Sequence, residues 1–461
     1  MRQLPFTAGN DAGRSKFASI AKLLNLYVET QSNPNAQIRA SLLSCPGSRE
    51  IFSVPGGTQI TGMHPTASSA FFTTRNALYE IRGGHFVKRA DIAILGRTCM
   101  ADNGTSLIIV DGFNMWSYNM ESGAVRPINM PPSQSVRFAH GYFIVVDKGT
   151  NRQRVSGFYT DVFDDPVNEA NCEGSPDNIQ AVEVMNGLLF FLGQKTIEPW
   201  YLSGEDYPFN PSQAQFIDRG CYGPHSYVLA NDCIYWLGDD KIVYRMVGYT
   251  PQRISTHSEE SVLASADCAG AYMITYSHEG HDFVLLQIPS LNATLCYDCL
   301  TGMWHDRKTG SKKHFAGHML TISGQTYAGA QGSPSVSLLD HSKGNDNGIV
   351  MRRQMVTPKD LTTGRVNRCE LLLQYFNPPA PEKLKIDMSS SERMVLKEWP
   401  IISMAYTDDN GSSWSIEDAV ELEPNPEMKA VWNKLGYSYG RSYRFTLDAD
   451  MPCVWAGGWL E

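Results

Sequence analysis

The sequence lacks any apolar stretch long enough to span a membrane as a helix, so no stable membrane insertion is expected. Met1 to Asp11 contain no apolar core of a secretory signal, and none is expected. There is no surplus of positive charge: 39 Lys and Arg face 48 Asp and Glu, a net charge of −9. That excludes a broad basic surface gripping DNA. It leaves room for a wall along which DNA slides without being trapped. A G-x-S-x-G elbow is missing, which removes the usual serine hydrolase arrangement. Helical periodicity is scarce. With 42% apolar and 19% charged residues, the composition is that of an ordinary globular chain, and 461 residues exceed one small core. Ten cysteines are scattered, several inside apolar runs such as Cys233-Ile-Tyr-Trp, and are expected to be reduced core residues.

What the chain does have is a repeat. A short apolar run followed by an aromatic recurs at Tyr79, Tyr118, Tyr159, Tyr201, Tyr244 and Tyr297, with Leu338 as a degraded seventh. The intervals are 39, 41, 42, 43, 53 and 41 residues. Strand repeats of that period mark a β-propeller. The apolar runs include Ala70–Phe72, Leu107–Val110, Phe143–Val146, Leu188–Leu192, Cys233–Leu237 and Phe283–Leu286. Unbroken apolar runs of this length read as strands buried on both faces, as inner blade strands are between neighbours. Turns such as Asp111-Gly112 follow, then the aromatic strand, then a more polar one such as His85–Lys88. The wide 53-residue interval is expected to hold an insertion, with a short helix at His257–Ser265 capped by Ser258.

The array is flanked by non-repeating sequence. The expected organisation is an N-terminal docking or closing segment over 1–50, a propeller of six or seven blades over 51–345, and a β-sandwich-like domain over 346–461. The fold class is therefore all-β. Asn25–Glu29 reads as a strand, as do Val366–Tyr375, Lys383–Ile386, Ile401–Tyr406 and Ser442–Leu447, with a break at Asn377–Pro381.

Candidate chemistry dissolves on inspection. Gly193-Gln194-Lys195-Thr196 lacks the Gly-Lys step and following helix of a phosphate loop. His278 and His281 are three apart around Gly280, not four apart on one helical face, and read as a polar hairpin tip. Cys296 and Cys299 have C-x-x-C spacing without a second ligand pair, so a structural role is expected. Arg307, Lys308, Lys312 and Lys313 form a basic cluster, read first as a solvated loop and second as a contact for DNA or an acidic partner. Thr407-Asp408-Asp409-Asn410-Gly411-Ser412-Ser413-Trp414 resembles the Asp-box of sialidases, a structural hairpin in which Asp caps turn amides and Trp packs beneath. It occurs once, outside the array. A propeller glycosidase or sialidase-like enzyme is the alternative reading, and would require two carboxylates at catalytic separation. A generic propeller scaffold is a third. No catalytic, cofactor-binding or metal-binding residue is assigned, and no cofactor is expected.

Leu24-Asn25-Leu26-Tyr27-Val28-Glu29 followed by Pro46-Gly47 opens the chain. Later come Glu173-Gly-Ser175-Pro176-Asp177, the run Gly187–Gly193, then Thr196-Ile197-Glu198-Pro-Trp200, and finally Ser442–Leu447 leading to Trp459-Leu-Glu461. This ordered succession resembles the packaged-DNA stabilisation proteins of short-tailed bacteriophages, also called tail hub or nozzle proteins. The resemblance implies a non-enzymatic virion component of the phage tail, assembled in the host cytoplasm. It implies a homohexamer ring below the portal–adaptor (head-to-tail connector) protein, continuing the DNA channel and helping retain the packaged genome. It further implies attachment of tailspike, fibre or needle proteins, and passage of double-stranded DNA without sequence-specific contact.

Overall fold

The unbroken apolar runs fold as the second strands of propeller blades. In the computed structural model of the chain, the described residues are 2–6, 9–13, 15, 19–31, 40–163, 168–212, 216–375, 400–422 and 427–461. They divide into two compact units: one of residues 49–302 and 313–339, the other of 1–48, 303–312 and 340–461.

The first unit is a seven-bladed β-propeller. Its innermost strands are Ile60–Pro65, Cys99–Asp102, Ser133–Ala139, Ile179–Met185, Tyr227–Ala230, Tyr272–His278 and Ala316–Ile322, one per blade. Each pairs antiparallel with the strand that follows it. Blade seven is completed by residues 49–53, whose Ile51 and Phe52 pack with Leu320, Tyr327 and Val336. A segment that precedes the first innermost strand thus closes the ring.

Blade two shows why the second strands read as continuous apolar runs. Leu107, Ile108, Ile109 and Val110 are all fully buried. Leu107 and Ile109 join a core with Phe71, Leu78 and Ile94 of the preceding segment. Ile108 and Val110 join the next core, with Val136, Phe143 and Val145. Side chains alternate between faces along a strand, and here both faces are covered. Blades three and four repeat the pattern: Phe143 and Val145 against Ile144 and Val146, then Leu189 and Phe191 against Phe190 and Leu192. Each fully buried residue of this kind contributes about 1.5–3 kcal/mol.

Two expectations change. Tyr79, Tyr118, Tyr201, Tyr244, Tyr297 and Leu338 all lie on third strands, but Tyr159 does not. The third strand of blade three is Arg152–Val155, and Tyr159 follows it in a loop with φ +52°. That strand carries two arginines and a glutamine, so the aromatic signal there belongs to the loop. The expected helix is present at His257–Ser265, but its cap is Thr256 rather than Ser258. The Thr256 hydroxyl accepts from the Ser258 backbone N–H, and the Glu259 carboxylate accepts from the Thr256 backbone N–H in return.

The second unit is a sandwich of two sheets. One runs Leu26–Thr30, Ala40–Ser44, Cys453–Leu460, Arg368–Tyr375 and Glu427–Asn433, with Arg2–Gln3 added beside Cys453–Leu460. The other contains Ile20–Leu24, Arg352–Val356, Tyr437–Asp448, Ile401–Thr407 and Asp418–Glu421. Leu371, Leu373, Trp432 and Trp455 from the first meet Leu23, Met355, Met404 and Phe445 from the second in one core. The stretch Lys383–Ile386 and the break at Asn377–Pro381 lie outside the described residues.

Candidate functional site

The propeller's innermost strands are less uniformly apolar than the second strands behind them. They carry the charged side chains that the apolar second strands exclude. Arg137 on blade three donates to both oxygens of Glu183 on blade four, through Nε at 2.8 Å and Nη2 at 2.7 Å. Its Nη2 also lies 3.0 Å from the Tyr227 hydroxyl of blade five, which donates to the Val182 carbonyl at 3.3 Å. Its Nη1 reaches Cys99 Sγ of blade two at 2.9 Å. Side chains from four consecutive blades are thus tied across the inner ring by a charge-assisted, bidentate pair. Despite burial, the Glu183 carboxylate holds the Arg137 guanidinium well above its ordinary pKa. His225, just before the inner strand of blade five, is pushed down to about 3 by burial and by Arg97 and Arg137, so it is neutral at physiological pH.

Blade four gives a physical reading of two motifs singled out in the sequence. Asp177 Oδ2 accepts from the backbone N–H groups of Lys195 at 2.5 Å and Thr196 at 3.0 Å. Asp177 Oδ1 accepts from the Thr196 hydroxyl at 3.3 Å. The amides a phosphate loop would offer to a ligand are therefore filled by a carboxylate of the same chain. A Cβ on Gly193 would lie 2.6 Å from that carboxylate, so glycine is required. Glu198 reciprocates: its Oε1 accepts from Gly174 N at 2.9 Å and its Oε2 from Trp200 Nε1 at 3.3 Å. The S-P-D element and the T-I-E-x-W element are two halves of one staple.

The remaining candidates are structural. His278 and His281 flank a two-residue turn in which Glu279 and Gly280 both have positive φ. The buried His281 Nδ1 lies 2.8 Å from Asp298 Oδ2. Burial raises the Asp298 carboxyl, yet its bonds to His281 and Thr301 hold it below its usual range. Cys296 is buried on Thr294–Asp298, and burial pushes the Cys299 thiol up to about 11, opposite to what thiolate chemistry needs. None of the ten cysteines is in a disulfide.

Of the basic cluster, Lys312 is exposed and Lys308 and Lys313 are half-buried, but Arg307 departs from the solvated-loop reading. Arg307 lies on the strand Trp304–Thr309, is fully buried, and donates to the Pro46 carbonyl at 3.1 Å. It shares its surroundings with Asp346, which accepts from the hydroxyls of Thr309 at 2.7 Å and Ser48 at 3.4 Å. Burial raises the Asp346 carboxyl, while Arg307 and the equally buried Arg353 pull it back. The opening motif meets the same strand: Asn25, with φ +53°, donates to the carbonyls of Lys308 at 3.0 Å and Arg352 at 2.8 Å, and accepts from Lys308 N at 3.0 Å. Gly47 is needed because a Cβ there would sit 2.4 Å from the Asn345 carbonyl.

The Asp-box turn forms as its resemblance implied. Asp409 Oδ1 accepts from the Thr407 hydroxyl at 2.7 Å and Ser413 N at 2.8 Å, and its Oδ2 from the Ser413 hydroxyl at 2.6 Å. Ser413 and Thr407 together lower its carboxyl to about 2. Trp414 lies under the Arg444 guanidinium, 4.5 Å from ring centre to Cζ. A glycosidase needs one carboxyl to donate a proton and another to attack or activate water. Glu183, Asp177, Glu198 and Asp409 instead accept hydrogen bonds from a guanidinium, amides, an indole or hydroxyls of the same chain.

Among solved structures, the extracellular domain of the putative one-component system BT4673 from B. thetaiotaomicron is similar at 9% identity and a TM-score of 0.44. The match covers 89% of this chain and 59% of that one, so this chain spans under two thirds of that domain's length. BamB from Moraxella catarrhalis is similar at 13% identity and TM-score 0.42, over 69% of this chain and 97% of that one. The Myceliophteria thermophila Cps50 (Swd1) β-propeller domain is similar at 8% identity and TM-score 0.44, over 64% and 99% respectively. No curated protein matches the chain by sequence. A family model matches residues 2–343, a span that takes in the Asn25, Gly47, Asp177 and Glu198 motifs: the chain belongs to the phage stabilisation family described as bacteriophage P22 Gp10, beta-propeller.

Proposed function

We propose that the chain is one subunit of a six-membered hub or nozzle ring in the tail of a short-tailed phage. The ring lies below the portal–adaptor protein, continues the DNA channel, helps retain packaged DNA and carries spike, fibre or needle proteins. It acts without catalysis, as a virion component assembled in the host cytoplasm. Membership of a phage structural propeller family carries this reading.

The inner ring supports it. A duplex is roughly 20 Å across, and the propeller interior is crossed by the Arg137–Glu183–Tyr227 ties. DNA therefore passes through the ring of subunits, not through a propeller's own axis. The net charge of −9 suits a duct wall that does not hold phosphates. A ring of six needs heterologous contacts that close by rotation, which rigid subunits satisfy best.

The test is genetic. Phage particles made without this chain should fill their heads and then lose DNA, and supplying the purified chain before leakage should preserve full heads. Full heads that remain stable without it would contradict the retaining role.

A further inference from the structure

A cavity of about 200 Å³ opens where the inner strands of blades one and seven begin, beside the segment leading into blade two. At about 30 Å³ per water it holds roughly seven waters, enough for one small polyatomic ion. Arg75 and Arg97 both line it, together with Gln59, Gln331, His318 and the backbone at Gly317. Neither guanidinium has a carboxylate partner among the described residues. Arg97 is half-buried; its Nη2 donates to the Gly317 carbonyl at 2.6 Å and its Cζ stands 4.0 Å from the centre of the Tyr272 ring. Arg75 donates to the Leu95 carbonyl, and the Gln59 amide, with its oxygen turned toward Arg75, accepts from Nε at 3.0 Å and Nη2 at 2.8 Å.

These contacts are neutral. A carbonyl, an amide oxygen and an aromatic face stabilise a cation without cancelling its charge. Elsewhere in the same unit, half-buried guanidiniums have acids: Arg137 has Glu183 and Arg154 has Asp147. Burial lowers the Arg97 guanidinium to about 10, still protonated at neutral pH. His318 lines the cavity but is held neutral by burial and by Arg97, so it supplies no negative charge. Two cations face one polar cavity with their counter-charge missing. Arg97 is partly withdrawn from water and Arg75 stands at the mouth, so an ion that enters and accepts hydrogen bonds from both stabilises the pair.

We propose that this cavity is an oxyanion site that takes a single phosphate or carboxylate group, clamped between Arg97 and Arg75. The glutamine amides and glycine backbones let the ligand approach closely, and guanidinium geometry favours bidentate binding of either group. The site is independent of the ring reading: it would exist in a lone subunit.

The experiment uses the full chain and calorimetric titration with three probes: inorganic phosphate, dimethyl phosphate and acetate. Saturable binding of one probe per chain is expected, with at least about a tenfold loss of affinity in Arg97→Gln and a smaller loss in Arg75→Gln. Tighter binding of inorganic or dimethyl phosphate assigns the site to phosphate groups, and tighter binding of acetate assigns it to carboxylates. Arg75 is exposed, so Arg75→Gln should fold even if Arg97→Gln does not. No saturation by any of the three probes, or equal affinity in the wild type and in Arg75→Gln, would overturn the proposal.

Discussion

The propeller and the sandwich are both all-β, but they are held together differently. In the propeller, strands within a blade pair with the next in sequence, except where residues 49–53 close blade seven, and each core lies between consecutive blades. Stability is spread over near-equivalent interfaces. The sandwich is assembled from 1–48, 303–312 and 340–461, so its contacts join residues hundreds of positions apart. Closing such contacts costs chain entropy before any packing repays it. A few buried polar staples then fix which segment goes where: Asn25 to Lys308 and Arg352, Asp346 to Thr309 and Ser48, Arg307 to Pro46. Local repetition tolerates single defects, whereas a composite fold concentrates its specification in a few residues.

That contrast sets the order of expected effects. Asp346→Ala should be the most damaging, because it removes the buried carboxylate whose charge Arg307 and Arg353 both face. A loss of about 3–5 kcal/mol in denaturant unfolding is expected, and refolding should slow. In a blade, Ile108→Ala removes a fully buried side chain shared with Val136 and Phe143 and should cost about 2–4 kcal/mol. If the blade variant proved clearly worse than Asp346→Ala, the contrast would fail. Asp177→Ala should cost about 1–3 kcal/mol by leaving the Lys195 and Thr196 amides unpaired. Amide exchange should quicken in blade four while blades one and two keep their protection.

The smallest effect concerns pH. Asp409 has a carboxyl lowered to about 2, below its ordinary 3.8. The bonds it accepts are fully present above about pH 4 and are lost as pH falls toward 2. Exchange of the Ser413 amide should rise across that window. In Asp409→Asn the amide should exchange faster at neutral pH and lose this acid dependence.

Legibility in the sequence follows the same division. The blade period could be read because a second strand buried on both faces must be apolar at every position, as Leu107–Val110 is. The innermost strands carry no such signal because Arg137, Glu183 and His318 interrupt them, and those same residues line the inner ring and the cavity. Tyr159 matches the period without being on the strand, because the third strand of blade three, Arg152–Val155, is polar. Arg307 read as solvated because a buried arginine has no local signature; its counter-charge, Asp346, is 39 positions away. The motifs Asn25, Gly47, Asp177 and Glu198 were visible as a pattern, but their reason is geometric: each fills or vacates a space made by a distant backbone.

The central claim is a closed ring of six subunits. Native mass spectrometry of the portal–adaptor complex, after addition of the purified chain, counts the copies directly. The account predicts that six copies add together, with few intermediate stoichiometries. A chain that stays monomeric beside the complex, or adds in a number other than six, would contradict it.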